Sequence, residues 1–386
     1  MSQYLAYTGL LSTATLCVFV GSYGAMHTPM KTRELRKAAG IDPNRDEEEG
    51  QSQSLSSQNA YIFPILGSAV LFSLYLAFKY FDKEKINMLL SFYFAVAGAF
   101  AIPIVIEHLL KVARGGKATN VDALLLRIRI PYPSKKKDLA PPITDASKPP
   151  MPRKNELTVD LLGFLIMGAY LYTRFWPLTN LVAISFAIQG IMLITLDSFK
   201  TGFILLAGLF FYDIFWVFGS SRLVGGGPSV MVSVATNFDG PIKILCPKNL
   251  LEIYKAWSWS GTLPKLAFAL LGLGDIVIPG IFVALALRFD QMHASNKNPS
   301  LNFTRFFLDF PKPYFQACLG AYFGGLVTTM AVMHIFGAAQ PALLYLSPAC
   351  ALSVVAVALQ RGELSELWNW VDHTIEPSPT DKSKAA

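Results

Sequence analysis

Residues 201–219 read TGFILLAGLFFYDIFWVFG, an apolar stretch whose single charge is Asp213. As a helix rising 1.5 Å per residue it nearly spans a hydrocarbon core about 30 Å thick, so a carboxylate is being carried to membrane depth. Searching outward for runs of similar length gives nine: residues 4–26, 60–80, 86–110, 158–174, 180–197, 201–219, 266–287, 315–336 and 340–359. The fold class that follows is an all-α polytopic membrane protein with nine transmembrane helices. Composition agrees, because the 386 residues are 53% hydrophobic and only 15% charged, against about 25% charged in soluble domains. A cytosolic globular protein and a disordered chain are both excluded, and the formal charge of +7 reads as loop charge rather than a nucleic-acid surface. Four scattered Cys without a C-x-x-C pair and five scattered His without H-E-x-x-H predict no disulfide framework, no metal and no cofactor.

Charge also orients the chain. The first run has no basic residue before it, while Lys31, Arg33, Arg36 and Lys37 follow it closely, the pattern of a signal anchor with its N-terminus outside rather than a cleaved leader. With nine spans, the loops after runs 1, 3, 5, 7 and 9 lie in the cytosol and collect 24 of the 33 Lys and Arg. That satisfies the positive-inside rule and places the C-terminus in the cytosol.

Three regions are expected: residues 1–157, three helices with two flexible cytosolic loops; residues 158–362, a catalytic membrane core of helices 4 to 9; and residues 363–386, a polar cytosolic tail. The first loop is acidic and Ser/Gln-rich from Asp46 to Ser57, and the second is Pro/Lys-rich from Pro131 to Lys154. Lys135, Lys136 and Lys137 read as a solvated linker, with contact to anionic lipid as the alternative, and the sequon at Asn302 falls in a cytosolic loop, so it is expected to be unmodified.

A carboxylate in mid-span costs several kcal/mol and is a functional signal by default. Glu107, Asp160 and Asp197 lie within about a turn of predicted ends. Asp213 and Asp275 do not: the first is about 18 Å into its run, the second about 14 Å from the outer end of the seventh, so antiparallel neighbours hold them at nearly equal depth. Two carboxyl groups about 3 Å apart share one proton and titrate as a pair. One can take a proton from a water attacking a peptide carbonyl while the other donates to the developing oxyanion. Gly272 and Gly274 remove side chains beside Asp275, and Tyr212 adjoins Asp213 with a hydroxyl. Gln340, Pro341, Ala342 and Leu343 open the ninth run, where a Pro and small residues leave backbone groups that a cavity can use; a plain N1 proline reads equally well.

Tyr212-Asp213, Gly272-Leu273-Gly274-Asp275 and Pro341-Ala342-Leu343, in that order on runs six, seven and nine, resemble the intramembrane aspartyl proteases of the signal peptide peptidase branch. The likeness covers much of residues 158–362. It implies a presenilin-like fold of nine spans, lumenal N-terminus, cytosolic C-terminus, residence in the endoplasmic reticulum membrane, and cleavage of leftover signal peptides and other type II or tail-anchored segments. By the same likeness Asp213 and Asp275 are the catalytic pair and the 341–343 corner binds substrate. Whether the chain forms homo-oligomers or works with endoplasmic-reticulum-associated degradation partners is left open by the sequence, and nucleic acid is not expected as a partner. Lys382 and Lys384 look like a dilysine retrieval signal. The Gly-rich stretch 220–229 departs from the family pattern.

Val230 to Val234, short and β-branched, reads as a strand edge able to hold an extended substrate. Two other functions fit parts of the pattern. A proton-coupled carrier also places carboxylates and broken helices at the midplane, but no inverted repeat is visible. A non-catalytic binder of signal peptides or misfolded proteins would keep a groove without needing both acids. A rhomboid-type serine enzyme lacks an embedded G-x-S motif.

Overall fold

The computed structural model describes residues 2–40, 53–55, 57–113, 154–223, 229–238, 240–248, 267–300, 309–336, 340–372 and 374. In chain order these form α1 (Ser2–Gly24), α2 (Met30–Ala38), β1 (Gln53–Leu55), α3 (Ser57–Tyr80), α4 (Lys83–Ala113), α5 (Lys154–Thr173), α6 (Trp176–Leu193), β2 (Ile194–Leu196) and α7 (Phe199–Ile214). After α7 come a π-helical turn (Phe215–Gly219) and a last α-turn (Ser220–Leu223). Then follow α8 (Val230–Asn237), β3 (Lys243–Pro247), β4 (Phe268–Gly272), α9 (Gly274–Lys297), α10 (Pro313–Phe336), α11 (Leu343–Arg361) and α12 (Leu364–Asn369). Among the described residues eight helices are long and apolar enough to cross a membrane, and α5 supplies a shorter apolar stretch, Leu161–Thr173. The nine expected runs each find their helix. The acidic run 46–49, the lysines 135–137, the glycines 225–227, the sequon at 302 and the retrieval motif at 382–384 lie outside the described residues.

Span α9 is the axis of the bundle. It packs against α1, α6, α7, α10 and α11, and 78% of its membrane window is buried inside the protein, against 6% for α3. The difference follows from neighbours: α3 presents Tyr61, Ile65, Val70 and Phe72 outward, where lipid tails receive them as well as a core would. Gly202 lets α7 close on α9, since a Cβ there would stand 2.7 Å from the Phe282 ring. Several span hydroxyls satisfy themselves on the preceding turn, as Ser22 does on the Val18 carbonyl at 2.7 Å and Thr329 on Gly325 at 2.8 Å. In lipid no water would do it for them.

Two expectations are corrected. The seventh span begins at Gly274, not at 266, because residues 268–272 pair antiparallel with 243–247; Asp275 therefore stands in the first turn of its helix rather than deep along it. The same span runs on to Lys297, past its apolar end. Its charges are satisfied inside the protein: Arg288 donates to Asp372 at 2.6 Å and to the Leu196 carbonyl at 2.9 Å, and Asp290 accepts from the Tyr314 and Phe315 amides at the start of α10. Second, Val230–Val234 is helix, not strand. Ser229 caps α8 through the Val232 amide at 3.3 Å, and Val234 packs with Phe78 and Phe238, so capping and burial override β-propensity.

The chain after α11 returns to the bundle. Gly362, at φ +68°, ends α11 in the left-handed conformation, and α12 packs on α7 and α11. Val371 bridges Ser198 and the Asp372 amide donates to the Asp197 carbonyl. Residues 364–372 thus belong to the packed structure. So does α1, which contacts α6, α9 and α10.

Candidate active site

Asp213 lies in the last turn of α7, immediately before the chain loosens into the π-helical turn, an irregularity frequent at functional sites. Trp216 in that turn donates from Nε1 to Ser68 Oγ on α3 at 3.0 Å, and Ser220 Oγ accepts from the Val230 amide at 3.0 Å, so the distorted segment is held from two sides. The carboxyl of Asp213 is buried, 2% exposed. Its Oδ2 accepts a hydrogen bond from the Leu343 backbone amide at 3.3 Å. That amide is free to donate because Leu343 is the first residue of α11, where no intrahelical acceptor exists.

Asp275 arrives from a different element. Strand β4 ends at Gly272, the Leu273 amide donates to the Ile242 carbonyl at 2.9 Å, and α9 begins at Gly274. A Cβ on Gly272 would lie 3.3 Å from Asp275 Oδ2, so the carboxyl rests against the bare backbone. From α10 the fully buried Tyr322 donates to the Asp275 carbonyl at 3.4 Å, holding the first turn of α9. Asp213 and Asp275 are close enough to interact as charges.

Pro341, Ala342 and Leu343 are buried and Gln340 is half-buried beside them; the corner expected from sequence meets Asp213 through one amide. Gly274 differs from Gly272. A Cβ there meets only Ile278, at 3.9 Å, and the residue is exposed, so it leaves one side of Asp275 open instead of bringing two helices together. Tyr212 turns away: its ring lies against Gly67 of α3, 3.7 Å from a Cβ built there. Its hydroxyl makes no hydrogen bond among the described residues.

Sequence reasoning missed Tyr322 and Asn180. Nothing marks a tyrosine in the eighth run as different from other aromatic residues. Asn180 on α6 grips β3 from outside, donating to the Leu245 carbonyl at 2.6 Å and accepting from its amide at 2.8 Å. An amide at the start of a span was the available signal. In the β3–β4 register Leu245 opposes Leu270. Since Leu245 turns its backbone groups outward to Asn180, Leu270 and, two residues on, Gly272 turn theirs to the opposite edge. One side of the pair is closed by a side chain; the other, leading to Asp275, has no partner among the described residues. No group of His, Cys, Asp and Glu among the described residues could hold a metal ion.

The family model described as signal peptide peptidase matches residues 47–374. The chain is 35% identical over 381 residues to human signal peptide peptidase, covering 98% of this chain and 87% of the human protein. The mouse protein of the same name is 36% identical over the same shares. Intramembrane protease 2 of Caenorhabditis elegans is 46% identical over 209 residues, 53% of this chain and 40% of that protein.

Proposed function

Because this chain belongs to the signal peptide peptidase family of intramembrane aspartic proteases, we propose that Asp213 and Asp275 are its catalytic pair and that it hydrolyses peptide bonds inside type II membrane segments, chiefly spent signal peptides. The observation carrying this is the convergence of two acids from α7 and α9 beneath the α11 corner, in a multi-pass membrane protein where an isolated carboxylate would be costly. One carboxylate takes a proton from water as its oxygen adds to the scissile carbonyl; the other, protonated, donates to the oxygen on which negative charge develops. Proton transfer to the amide nitrogen then releases the new amine and acid. The Leu343 amide keeps Asp213 in place, and Gly272 gives Asp275 the room to lie flat against β4.

A transmembrane substrate is helical, and its peptide bond must be unwound before water can reach it. The edge of β4 that has no partner among the described residues supports a place for the extended segment: Leu270 and Gly272 can pair with it by strand addition, while on the outer edge of β3 the Asn180 side chain occupies the backbone groups of Leu245. Gly274 leaves the approach to Asp275 open. The 341–343 corner would bound the substrate opposite α9.

The reading further includes residence in the endoplasmic reticulum membrane, a lumenal N-terminus and a cytosolic C-terminus, supported by the 24 cationic residues on one side. It leaves homo-oligomers and endoplasmic-reticulum-associated degradation partners open. The test is cleavage of a signal peptide of type II orientation by purified protein in bilayers, beside an Asp275→Asn variant of equal thermal stability. Cleavage by the wild type alone supports the assignment; equal cleavage by the variant refutes it.

A further inference from the structure

The two outer edges of the β3–β4 pair are not equivalent. The Leu273 amide donates to the Ile242 carbonyl and the Lys248 amide to the Ala267 carbonyl. In this register the inward-turned residues of the ladder are therefore Ile244 with Leu271 and Cys246 with Ala269. The residues between them turn their backbone groups out: Lys243, Leu245 and Pro247 from β3, Phe268, Leu270 and Gly272 from β4.

Each outward position of β3 is closed to a further strand. Pro247 has no N–H to offer. Leu245 has both groups taken by Asn180, which donates to its carbonyl at 2.6 Å and accepts from its amide at 2.8 Å. A primary amide carries the donor and the acceptor of a peptide group, so Asn180 stands where the backbone of a third strand would. Lys243 brings a cation to the same edge, with Nζ drawn to the Phe238 carbonyl at 3.2 Å, and charge on an edge strand discourages pairing. The outward groups of β4 meet no partner among the described residues. Fastening β3 to α6 would need only one hydrogen bond at any point along the strand; Asn180 spends two on the central outward residue.

Edge choice matters for cleavage. A strand added to β3 would lie three strand spacings, about 14 Å, from one added to β4. Asp275 follows β4 directly, so a segment on the β3 edge would be held beyond its reach and left uncut. We propose that Asn180 is a positioning residue that sets specificity: by closing the outer edge of β3 it confines an incoming substrate strand to the β4 edge, where the scissile bond meets the dyad. This rests on the reading of β4 as the substrate strand and adds that the opposite edge is kept shut against the same substrate.

Two readouts test it. The first is photo-crosslinking of a signal peptide of type II orientation that carries one photoreactive residue, with Asp275→Asn in every chain so that nothing is cleaved. Adducts on β4 without adducts on β3 are expected with Asn180 in place, and adducts on both β4 and β3 or α6 with Asn180→Leu. The second is steady-state cleavage by the active chain. Asn180→Leu adds a nonproductive binding mode, which lowers kcat and KM by one factor, about twofold if the edges attract equally, and leaves kcat/KM unchanged. Adding Leu245→Pro to Asn180→Leu removes the outward amide again, and is expected to restore the single-edge labelling together with the original kcat and KM. Labelling confined to β4 in Asn180→Leu overturns the proposal. So does a fall in kcat/KM that Leu245→Pro does not reverse, which would make Asn180 a fastener of the strands. Should Asn180→Leu fail to fold, Pro247→Ala, which returns one outward amide with Asn180 in place, is expected to admit weaker labelling of β3, and none would overturn the proposal. Crosslinking needs no turnover, so failure of the aspartyl reading shows separately, as an active-site-intact chain that labels on β4 yet does not cleave, with the edge question still decided by the Asn180→Leu pattern.

Discussion

Replacing Gly272 by Ala should slow cleavage without destabilising the protein. The new methyl would stand 3.3 Å from Asp275 Oδ2, so the carboxyl must give way by a few tenths of an ångström. Among the described residues nothing else crowds it: the other neighbour is the carbon of the same carboxyl, at 4.0 Å. Gly272 does not have a positive φ, so Ala fits its backbone, and in a strand Ala is favoured over Gly by about 0.5–1 kcal/mol. A displacement of 1 Å in a catalytic group costs about 10²-fold; a few tenths therefore costs about three- to fivefold. The assay is initial-rate cleavage of a labelled signal peptide in bilayers, separating kcat from KM, with thermal unfolding alongside. The expected outcome is a reduced kcat, a KM within twofold and a melting temperature equal or higher. An unchanged kcat would refute the contact between Gly272 and the Asp275 carboxyl. A lower melting temperature would show instead that the β3–β4 pairing cannot accept a side chain.

Gly274→Ala tests a different proposition. Among the described residues its methyl touches only Ile278, so a loss of kcat/KM at unchanged stability would report substrate passing that face, and full activity would remove substrate from it. Asp372→Asn leaves Arg288 buried with its charge uncompensated and should destabilise by about 3–5 kcal/mol; Arg288→Met/Asp372→Leu should restore much of that in the same unfolding measurement, and failure to do so would mean the pair acts through more than its charge. Glu363 is pushed up by partial burial, but hydrogen bonds from Arg361 and Tyr314 outweigh this and lower it below the usual carboxylate value. A lowered folded value means stabilisation present above the unfolded value and lost as pH falls through the folded one. Protection of the amides at the start of α12, measured relative to their intrinsic exchange rate, should therefore fall as the pH drops below the usual carboxylate range, and Glu363→Gln should abolish that dependence; equal pH dependence in the variant would refute it.

Much of this protein was legible before any coordinates. Nine apolar runs are dictated by the thickness of a bilayer and need no tertiary information, and each found its helix. Asp213 and Asp275 stood out because a membrane interior penalises charge wherever it lies, so their oddity is a property of composition at a position. The corner at 341–343 was readable as well, since a proline at a helix start leaves amides without acceptors, and one of them reaches Asp213.

What sequence could not settle turned on contacts between distant segments. Phe268 to Gly272 is apolar enough to continue a span, and only pairing with Lys243–Pro247 makes it a strand and moves Asp275 to a helix start. Val230 to Val234 has strand propensity, yet a Ser cap and a packed Val234 make it helix. Arg288 and Asp290 should have ended the seventh span; partners from residues 196, 314, 315 and 372 carry it onward. Local sequence sets which segments enter the membrane, because that is a balance between each segment and its solvent. Which backbone groups pair across the site is a balance among segments tens to hundreds of residues apart, and only the tertiary structure resolves it.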